Sequence, residues 1–275
     1  MNVKLGVCHW SCPIDGPYAL KMASELGLEG IQLDIGSYER GFPLSRPSIQ
    51  KAYVEYAKKY NITITSLAVR ELDRHGMTRK DGTMEKEIAV EAILKAISAA
   101  EAMNIPIVML PSFEDGEIKT DRDFQRVVNC LKMACEEAEK KNIIIATENL
   151  LSIEETKQLF NLVNKPNLRL YFDTQNYHLR RNYNVASMVE ELFPYICEIH
   201  VKDGRDGHMS GALLGEGDSG FFETMEVLRD KNYSGWILLE NYYDLRPLSL
   251  EGDDPIELLR RDISILKTQV LYSNG

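Results

Sequence analysis

Short runs of apolar and β-branched residues alternate along the chain with longer stretches in which apolar residues recur every three or four positions. Eight of the short runs have the length of a β-strand, and they cover residues 3–8, 29–35, 62–68, 105–111, 143–148, 168–173, 196–202 and 235–240. The longer stretches are typical of amphipathic helices and include residues 47–60, 84–103 and 121–141. The pattern predicts a regular alternation of strands and helices.

The order of these elements favours one fold class. Strict alternation of strand and helix indicates parallel strands joined by right-handed crossovers, and eight such units in about 250 residues match a closed barrel. We therefore expect an α/β protein in which residues 1–275 form a single (β/α)8 TIM barrel domain. A doubly wound open sheet is the alternative, but Cys8-His9-Trp10 follows the first strand, where a dinucleotide-binding sheet carries Gly-x-Gly-x-x-Gly.

The connections differ in length on the two sides of the predicted strands. Those from helix to strand are short, and three of them repeat an Asn-Ile pair, at residues 61–62, 104–105 and 142–143, which suggests one duplicated unit. Those from strand to helix are long at residues 36–47, 69–83, 203–218 and 241–254. Chemistry should lie on the long-loop side, at the carboxyl ends of the strands.

Composition and charge limit the classes of partner. Hydrophobic residues make up 44% of the chain and charged residues 27%, as in ordinary globular proteins, and the formal net charge is -10. An acidic chain repels phosphate backbones, so nucleic acid is not an expected partner. No apolar run approaches the roughly eighteen residues of a membrane span, and the first residues resemble a strand more than a signal peptide. We expect a cytoplasmic protein without membrane contact.

The five cysteines do not suggest a disulfide framework. Their number is odd and their spacing matches no zinc knuckle. We expect reduced thiols that pack as small buried hydrophobes.

Four consecutive strands near the carboxyl end of the chain finish in residue types that bind metals. Glu148, Asp173 and Glu240 close their strands, and His200 comes late in its strand. Neighbouring barrel strands would bring these side chains together, and three carboxylates in one place need a cation to neutralise them. The sequence predicts a site for one divalent ion, with manganese, magnesium and cobalt suited to the oxygen-rich set and zinc also compatible.

Around these residues the sequence resembles the xylose isomerase-like barrel superfamily, in its sugar phosphate isomerase/epimerase branch. That branch includes ketose 3-epimerases and inosose isomerases and dehydratases. The resemblance covers nearly the whole chain, and its most specific parts are Glu148-Asn149, Phe172-Asp173-Thr174, His200-Val201-Lys202-Asp203, the run from Leu214 to Phe221, and the segment from Tyr233 to Glu240. It implies that Glu148, Asp173, His200 and Glu240 bind the metal, and that Glu148 and Glu240 also act as the catalytic acid/base pair.

Six further residues are candidates for substrate binding. Glu154 matches an epimerase glutamate near the end of the substrate, although Ser152 to Glu155 also forms a helix-capping pattern. Asn176 stands where many epimerases have a histidine, and Arg205 is one residue out of step with an epimerase arginine. Lys202 should share a strand face with His200 and bind a substrate oxygen or pair with a ligand carboxylate. His9 and Trp10 end the first strand, where they line the sugar site or simply pack.

The resemblance and the candidate ligands together predict a metal-dependent sugar isomerase or epimerase. Its substrate would be a ketose, keto-polyol or sugar phosphate, and an enediolate would form when a proton is removed next to a metal-bound carbonyl. The Gly-Glu-Gly-Asp run offers acids where a phosphate needs donors, which favours uncharged substrates. Alternatives are an inosose-type dehydratase, an endonuclease IV-like metal hydrolase and a sugar-binding barrel without turnover; the sequence leaves a homo-oligomer open.

Overall fold

The computed structural model describes residues 2–252 and 254–271, so residues 1, 253 and 272–275 of the predicted domain lie outside the described residues. Eight parallel strands follow one another in chain order around a closed barrel. They are β1 (Asn2–Cys8), β2 (Gly30–Asp34), β3 (Thr63–Ala68), β4 (Ile107–Pro111), β5 (Ile144–Glu148), β6 (Leu168–Asp173), β7 (Ile196–Val201) and β8 (Ser234–Leu239). The (β/α)8 prediction is confirmed, and every predicted strand lies within two residues of its observed bounds.

Nine α-helices occur in the part of the chain that the structure describes. They are α1 (Tyr18–Glu25), α2 (Pro47–Tyr60), α3 (Met84–Met103), α4 (Asp121–Glu139), α5 (Ile153–Val163), α6 (Asn176–Arg181), α7 (Val185–Leu192), α8 (Phe221–Asp230) and α9 (Pro255–Leu271). None of the described helices has the length and apolarity needed to cross a membrane.

The repeated Asn-Ile pair marks the ends of helices. Asn61, Asn104 and Asn142 all have positive φ, between 52° and 57°, and Asn164 and Asn232 adopt the same left-handed conformation after α5 and α8. Asparagine tolerates this conformation better than other residues with a side chain, so it ends a helix and redirects the chain. The repetition therefore has a local conformational cause at each joint.

The described residues divide into two compact units, and the first consists of residues 2–31, 59–63, 172–252 and 254–271. In this unit β1 pairs with β8 from Asn2↔Ser234 to Val7↔Leu239, and β7 pairs with β8 up to Val201↔Leu239. Val7, Val201 and Leu239 are completely buried. Because these three strands end level with one another, the residues at their carboxyl ends lie side by side.

The second unit consists of residues 32–58 and 64–171. Here β4 pairs with β5 from Ile107↔Ile144 to Pro111↔Glu148, and β5 pairs with β6 up to Thr147↔Leu170. Helix α3 buries a row of small alanines, which let it pack closely, and a capping box between Thr120 and Asp123 begins α4.

Candidate metal centre

The four predicted ligand residues are all buried at strand ends. Glu148 and Asp173 are the last residues of β5 and β6, His200 is the second-last residue of β7, and Glu240 directly follows β8. Each is at most 6% exposed. Each offers one ligand atom, and these atoms all lie within 4.8 Å of one another. The structure thus groups side chains that could share one ion, while their role as ligands stays a prediction.

Lys202 lies among these carboxylates. Its Nζ is 3.0 Å from Asp173 Oδ2 and 2.5 Å from Glu240 Oε2, and the lysine is only 2% exposed. His200 Nδ1 is 3.3 Å from the same Glu240 oxygen. Lys202 thus pairs with two carboxylates of the predicted ligand set, while its binding of a substrate oxygen stays a prediction.

The charges of the group suit a divalent cation. Three carboxylates and one ammonium leave two negative charges in a place from which water is largely excluded. A dry cluster of this kind needs compensation by charges of the opposite sign, and carboxylate oxygens with one imidazole are a donor set that divalent ions accept. The residues present therefore fit the ion that the sequence predicts.

Trp10 holds Glu240 in place. Its indole Nε1–H donates to Glu240 Oε1 at 3.0 Å, and its ring stands edge-on to His200 with the ring centroids 6.0 Å apart. The neighbouring His9 instead places Nε2 3.1 Å from the Gly16 carbonyl oxygen. Of the two residues predicted at the end of β1, Trp10 contacts the ligand group and His9 contacts its own loop.

The start of α6 holds Asp173. The backbone N–H groups of Gln175 and Asn176 donate to Asp173 Oδ1 at 2.8 and 2.5 Å, which leaves Oδ2 to face Lys202. Asn176 itself is 4% exposed, and among the described residues its side-chain Oδ1 accepts no hydrogen bond. Asn176 thus offers a buried acceptor beside the group.

Two other candidate residues lie on the surface. Glu154 is exposed in the first turn of α5, where Ser152 and Glu155 form the predicted capping box. Arg205 is exposed and pairs with Glu251, with 2.5 Å between Arg205 Nη2 and Glu251 Oε1. Substrate binding by these two residues stays a prediction.

Asp203 organises the loop between β7 and α8. Its carboxylate accepts backbone N–H groups from Gly204, Gly215, Gly217 and Ser219, together with the Ser219 hydroxyl at 2.7 Å. At Gly217 a Cβ atom would fall 2.1 Å from Asp203 Oδ1, so only glycine fits. In the Gly-Glu-Gly-Asp run, the N–H groups of Gly215 and Gly217 therefore donate to this one carboxylate, whereas those of Glu216 and Asp218 donate to backbone carbonyl oxygens of the same loop.

A second buried carboxylate, Asp262 of α9, accepts hydrogen bonds from residues of the segment that follows Glu240. It accepts hydrogen bonds from the Leu214 N–H at 2.8 Å, from Asn241 Nδ2 at 2.8 Å and from the Tyr243 hydroxyl at 2.9 Å. Burial raises the pKa of Asp262 to about 6, although these three hydrogen bonds act to lower it. The sequence alone does not reveal these roles of Asp203 and Asp262, because they depend on the loop conformation around Asp203 and on contacts 19 to 48 residues away from Asp262.

The comparisons with known proteins agree with this architecture. Residues 20–269 match the family model described as "Xylose isomerase-like TIM barrel". A curated relative, 2-epi-5-epi-valiolone 7-phosphate 2-epimerase from Actinoplanes sp., is 29% identical over 230 residues, which cover 83% of each chain.

Solved structures show the same fold at lower identity. D-allulose 3-epimerase from Methylomonas sp. is 16% identical, covers 98% of both chains and has a TM-score of 0.78. A probable 3-DHS dehydratase from Bacillus anthracis is 17% identical over 96% of this chain and 98% of its own, with a TM-score of 0.72.

Proposed function

Because this chain belongs to the xylose isomerase-like TIM barrel family, we propose that it is a metal-dependent epimerase or isomerase of a ketose or keto-polyol. The observation that carries this proposal is the grouping of Glu148, Asp173, His200 and Glu240, whose ligand atoms lie within 4.8 Å of one another. The curated relative is an epimerase by name, which favours epimerisation over isomerisation.

In the proposed site, Asp173 and His200 hold the ion together with Glu148 and Glu240, and manganese suits this set. A bound divalent cation would supply Lewis-acid stabilisation for the negative charge that develops on the substrate when a proton leaves carbon. We assign the proton transfers to Glu148 and Glu240, because two carboxylates on different strands can face opposite sides of one carbon.

Other residues of this chain have supporting roles in the proposal. Trp10 donates to Glu240 Oε1 and Lys202 contacts Oε2, so the two residues together orient the Glu240 carboxylate. Lys202 carries a positive charge next to the oxygens of Asp173 and Glu240 and would stabilise negative charge on a substrate oxygen nearby. Asn176, with a buried acceptor, would receive a hydrogen bond from a substrate hydroxyl.

The proposal is tested by exchange with solvent. Protein reloaded with Mn²⁺ would be incubated in heavy water with a panel of ketoses and cyclic keto-polyols, each as the free compound and as its phosphate. An epimerase or isomerase of this type incorporates one deuterium into the substrate and product pools, which mass spectrometry detects. The phosphates are included because the curated relative acts on a 7-phosphate by its name.

Replacing Glu148 or Glu240 by Gln should abolish incorporation, whereas Glu137→Gln, on the outside of α4, should have no effect. The failure of every substrate to exchange would refute the proposed function, and full exchange by both variants would refute the acid/base assignment. A dehydratase is the second candidate, because one structural neighbour is a probable dehydratase by its name. It would give a product lighter by one water.

A further inference from the structure

A sulfur atom lies beside the predicted metal ligands. Cys8, the last residue of β1, is completely buried. Its Sγ, one nitrogen of His200 and one oxygen of Glu240 lie within 4.8 Å of one another. The level ends of β1, β7 and β8 explain this arrangement, because Val7 and Val201 are both in register with Leu239.

We propose that Cys8, His200 and Glu240 form a second metal site, selective for thiophilic divalent ions such as Zn²⁺, that overlaps the four-ligand centre. The inference rests on the proposed function, since both sites use His200 and Glu240. A thiolate, an imidazole and a carboxylate are ligands that a zinc ion accepts with a fourth position left to water. Manganese and magnesium prefer oxygen donors instead.

The two sites draw on the same side chains. Cys8 forms its ligand group with His200 and Glu240, whereas Glu148 and Asp173 form theirs with the same two residues. An ion held beside Cys8 would therefore take two of the four ligand residues from the other centre. A thiophilic ion bound next to Cys8 would therefore compete with the ion that serves the proposed reaction.

The proposed site predicts an order of metal affinities. Zinc would bind more tightly than manganese and would displace it, and this preference would depend on Cys8. Cys8 loses its proton to solvent when it binds the ion, because the thiolate is the ligand.

Cys12 provides a matched control. It is buried only four residues further along the chain and donates through Sγ to the Cys8 carbonyl oxygen at 3.5 Å. Among the described residues, Cys12 belongs to no group of side chains that could hold a metal. Burial raises its pKa to about 12, which makes its thiolate hard to form.

The first test uses cobalt as a spectroscopic probe. Protein stripped with a chelator is titrated with Co²⁺ under anaerobic conditions, and a thiolate ligand gives a sulfur-to-cobalt charge-transfer band in the near ultraviolet. We expect the band in the wild type and in Cys12→Ser, and its loss in Cys8→Ser. No band in the wild type, or an equal band in Cys8→Ser, overturns the inference.

The second test measures affinities by equilibrium dialysis. Cys8→Ser removes a proposed ligand, so it should weaken Zn²⁺ binding by at least the roughly tenfold that the loss of a group behind a ligand already costs. The same change should alter Mn²⁺ binding by less than about twofold. Equal effects on both ions contradict the proposal. If Cys8→Ser does not fold, excess Mn²⁺ should remove the wild-type cobalt band, and a band that persists refutes the shared site.

The two tests also separate the inference from the proposed function. Wild-type protein that binds Mn²⁺ but shows no cobalt–thiolate band disproves only the role of Cys8. Protein that shows the band but neither binds Mn²⁺ nor exchanges deuterium retains the thiolate site and loses the proposed function.

Discussion

Lys202 is a buried cation between two buried carboxylates, and its removal should make the fold depend on metal. Breaking a buried ion pair by removing one partner costs about 3–5 kcal/mol, because the remaining charges lose their compensation. We therefore expect Lys202→Met to lower the free energy of unfolding by about 3 kcal/mol in a chelator and by much less with excess Mn²⁺, as measured by urea unfolding.

Arg79→Met serves as the control for this prediction. Arg79 pairs with Asp115 and is 45% exposed, so its loss should cost about 1 kcal/mol or less. That loss should be the same with and without metal. Equal destabilisation of Lys202→Met under both conditions would show that Mn²⁺ does not replace the lysine charge.

Trp10 fixes one oxygen of Glu240, and this contact should affect the reaction more than it affects stability. Trp10→Phe keeps an aromatic ring but removes the N–H donor. We expect a loss of about tenfold in the deuterium-exchange rate, as for other groups that orient a metal ligand. Trp236→Phe, which changes the other tryptophan of the chain, should exchange at the wild-type rate; equal losses in both variants would contradict a specific role.

Single residues differed in how well the sequence revealed them. The sequence revealed the four predicted ligands, Glu148, Asp173, His200 and Glu240. Each comes at or near the end of an apolar run, and this position places it at the carboxyl end of a barrel strand. The contacts of Trp10 and Lys202 with Glu240 join residues that are 230 and 38 positions apart, and such contacts depend on side-chain directions that periodicity does not give. The roles of Asp203 and Asp262 were missed for the same reason.

Elements were predicted more completely than contacts. The apolar runs located all eight strands, because a strand buried on both faces is apolar over nearly its whole length. The repeated Asn-Ile pair was interpreted as a sign of duplication, and its positive φ values now explain it as a way to end helices. Periodicity cannot distinguish these two causes, because both place the same residue at the same joint.

The loop from Asp203 to Ser219 should lose its order when the carboxylate is changed. Asp203→Asn replaces one acceptor oxygen by a donor that faces backbone N–H groups. A lost hydrogen bond to a charged group costs about 1.5–3 kcal/mol, so we expect a destabilisation of about 2 kcal/mol and new proteolytic cleavage within residues 204–219. Mass spectrometry of limited digests would locate the cuts.

Asp206→Asn is the matched control for the loop. Asp206 lies in the same segment, is exposed and has a φ of 57°, a conformation that asparagine also accepts. Its digestion pattern should stay unchanged. Identical digests for the two variants would mean that Asp203 does not hold the loop.

For the molecule as a whole, Asp262 should make stability depend on pH. Its pKa is raised from 3.8 to about 6 in the folded state. Between about pH 4 and pH 6 the folded chain therefore holds a proton that the unfolded chain releases, so this group's contribution to stability falls as the pH rises. Above the folded pKa, the buried and ionised Asp262 lowers the free energy of unfolding by about 3 kcal/mol relative to pH values below about 4.

The difference between variant and wild type isolates this effect from the other carboxylates. Asp262→Asn cannot ionise, so its unfolding free energy minus that of the wild type should increase by up to about 3 kcal/mol from pH 4 to pH 7. Urea unfolding at several pH values measures this difference. A constant difference over that range would contradict the raised pKa.

The bridge that Lys202 makes between Asp173 and Glu240 affects whether the protein folds before or after it binds a metal ion. Since this amine already offsets part of the repulsion between the carboxylates, a newly synthesised chain can reach its native state before the proposed ion is bound. Metal binding would then follow folding and depend on the concentration of free ion. A cell that lacks the ion would accumulate folded, metal-free protein that can still bind it.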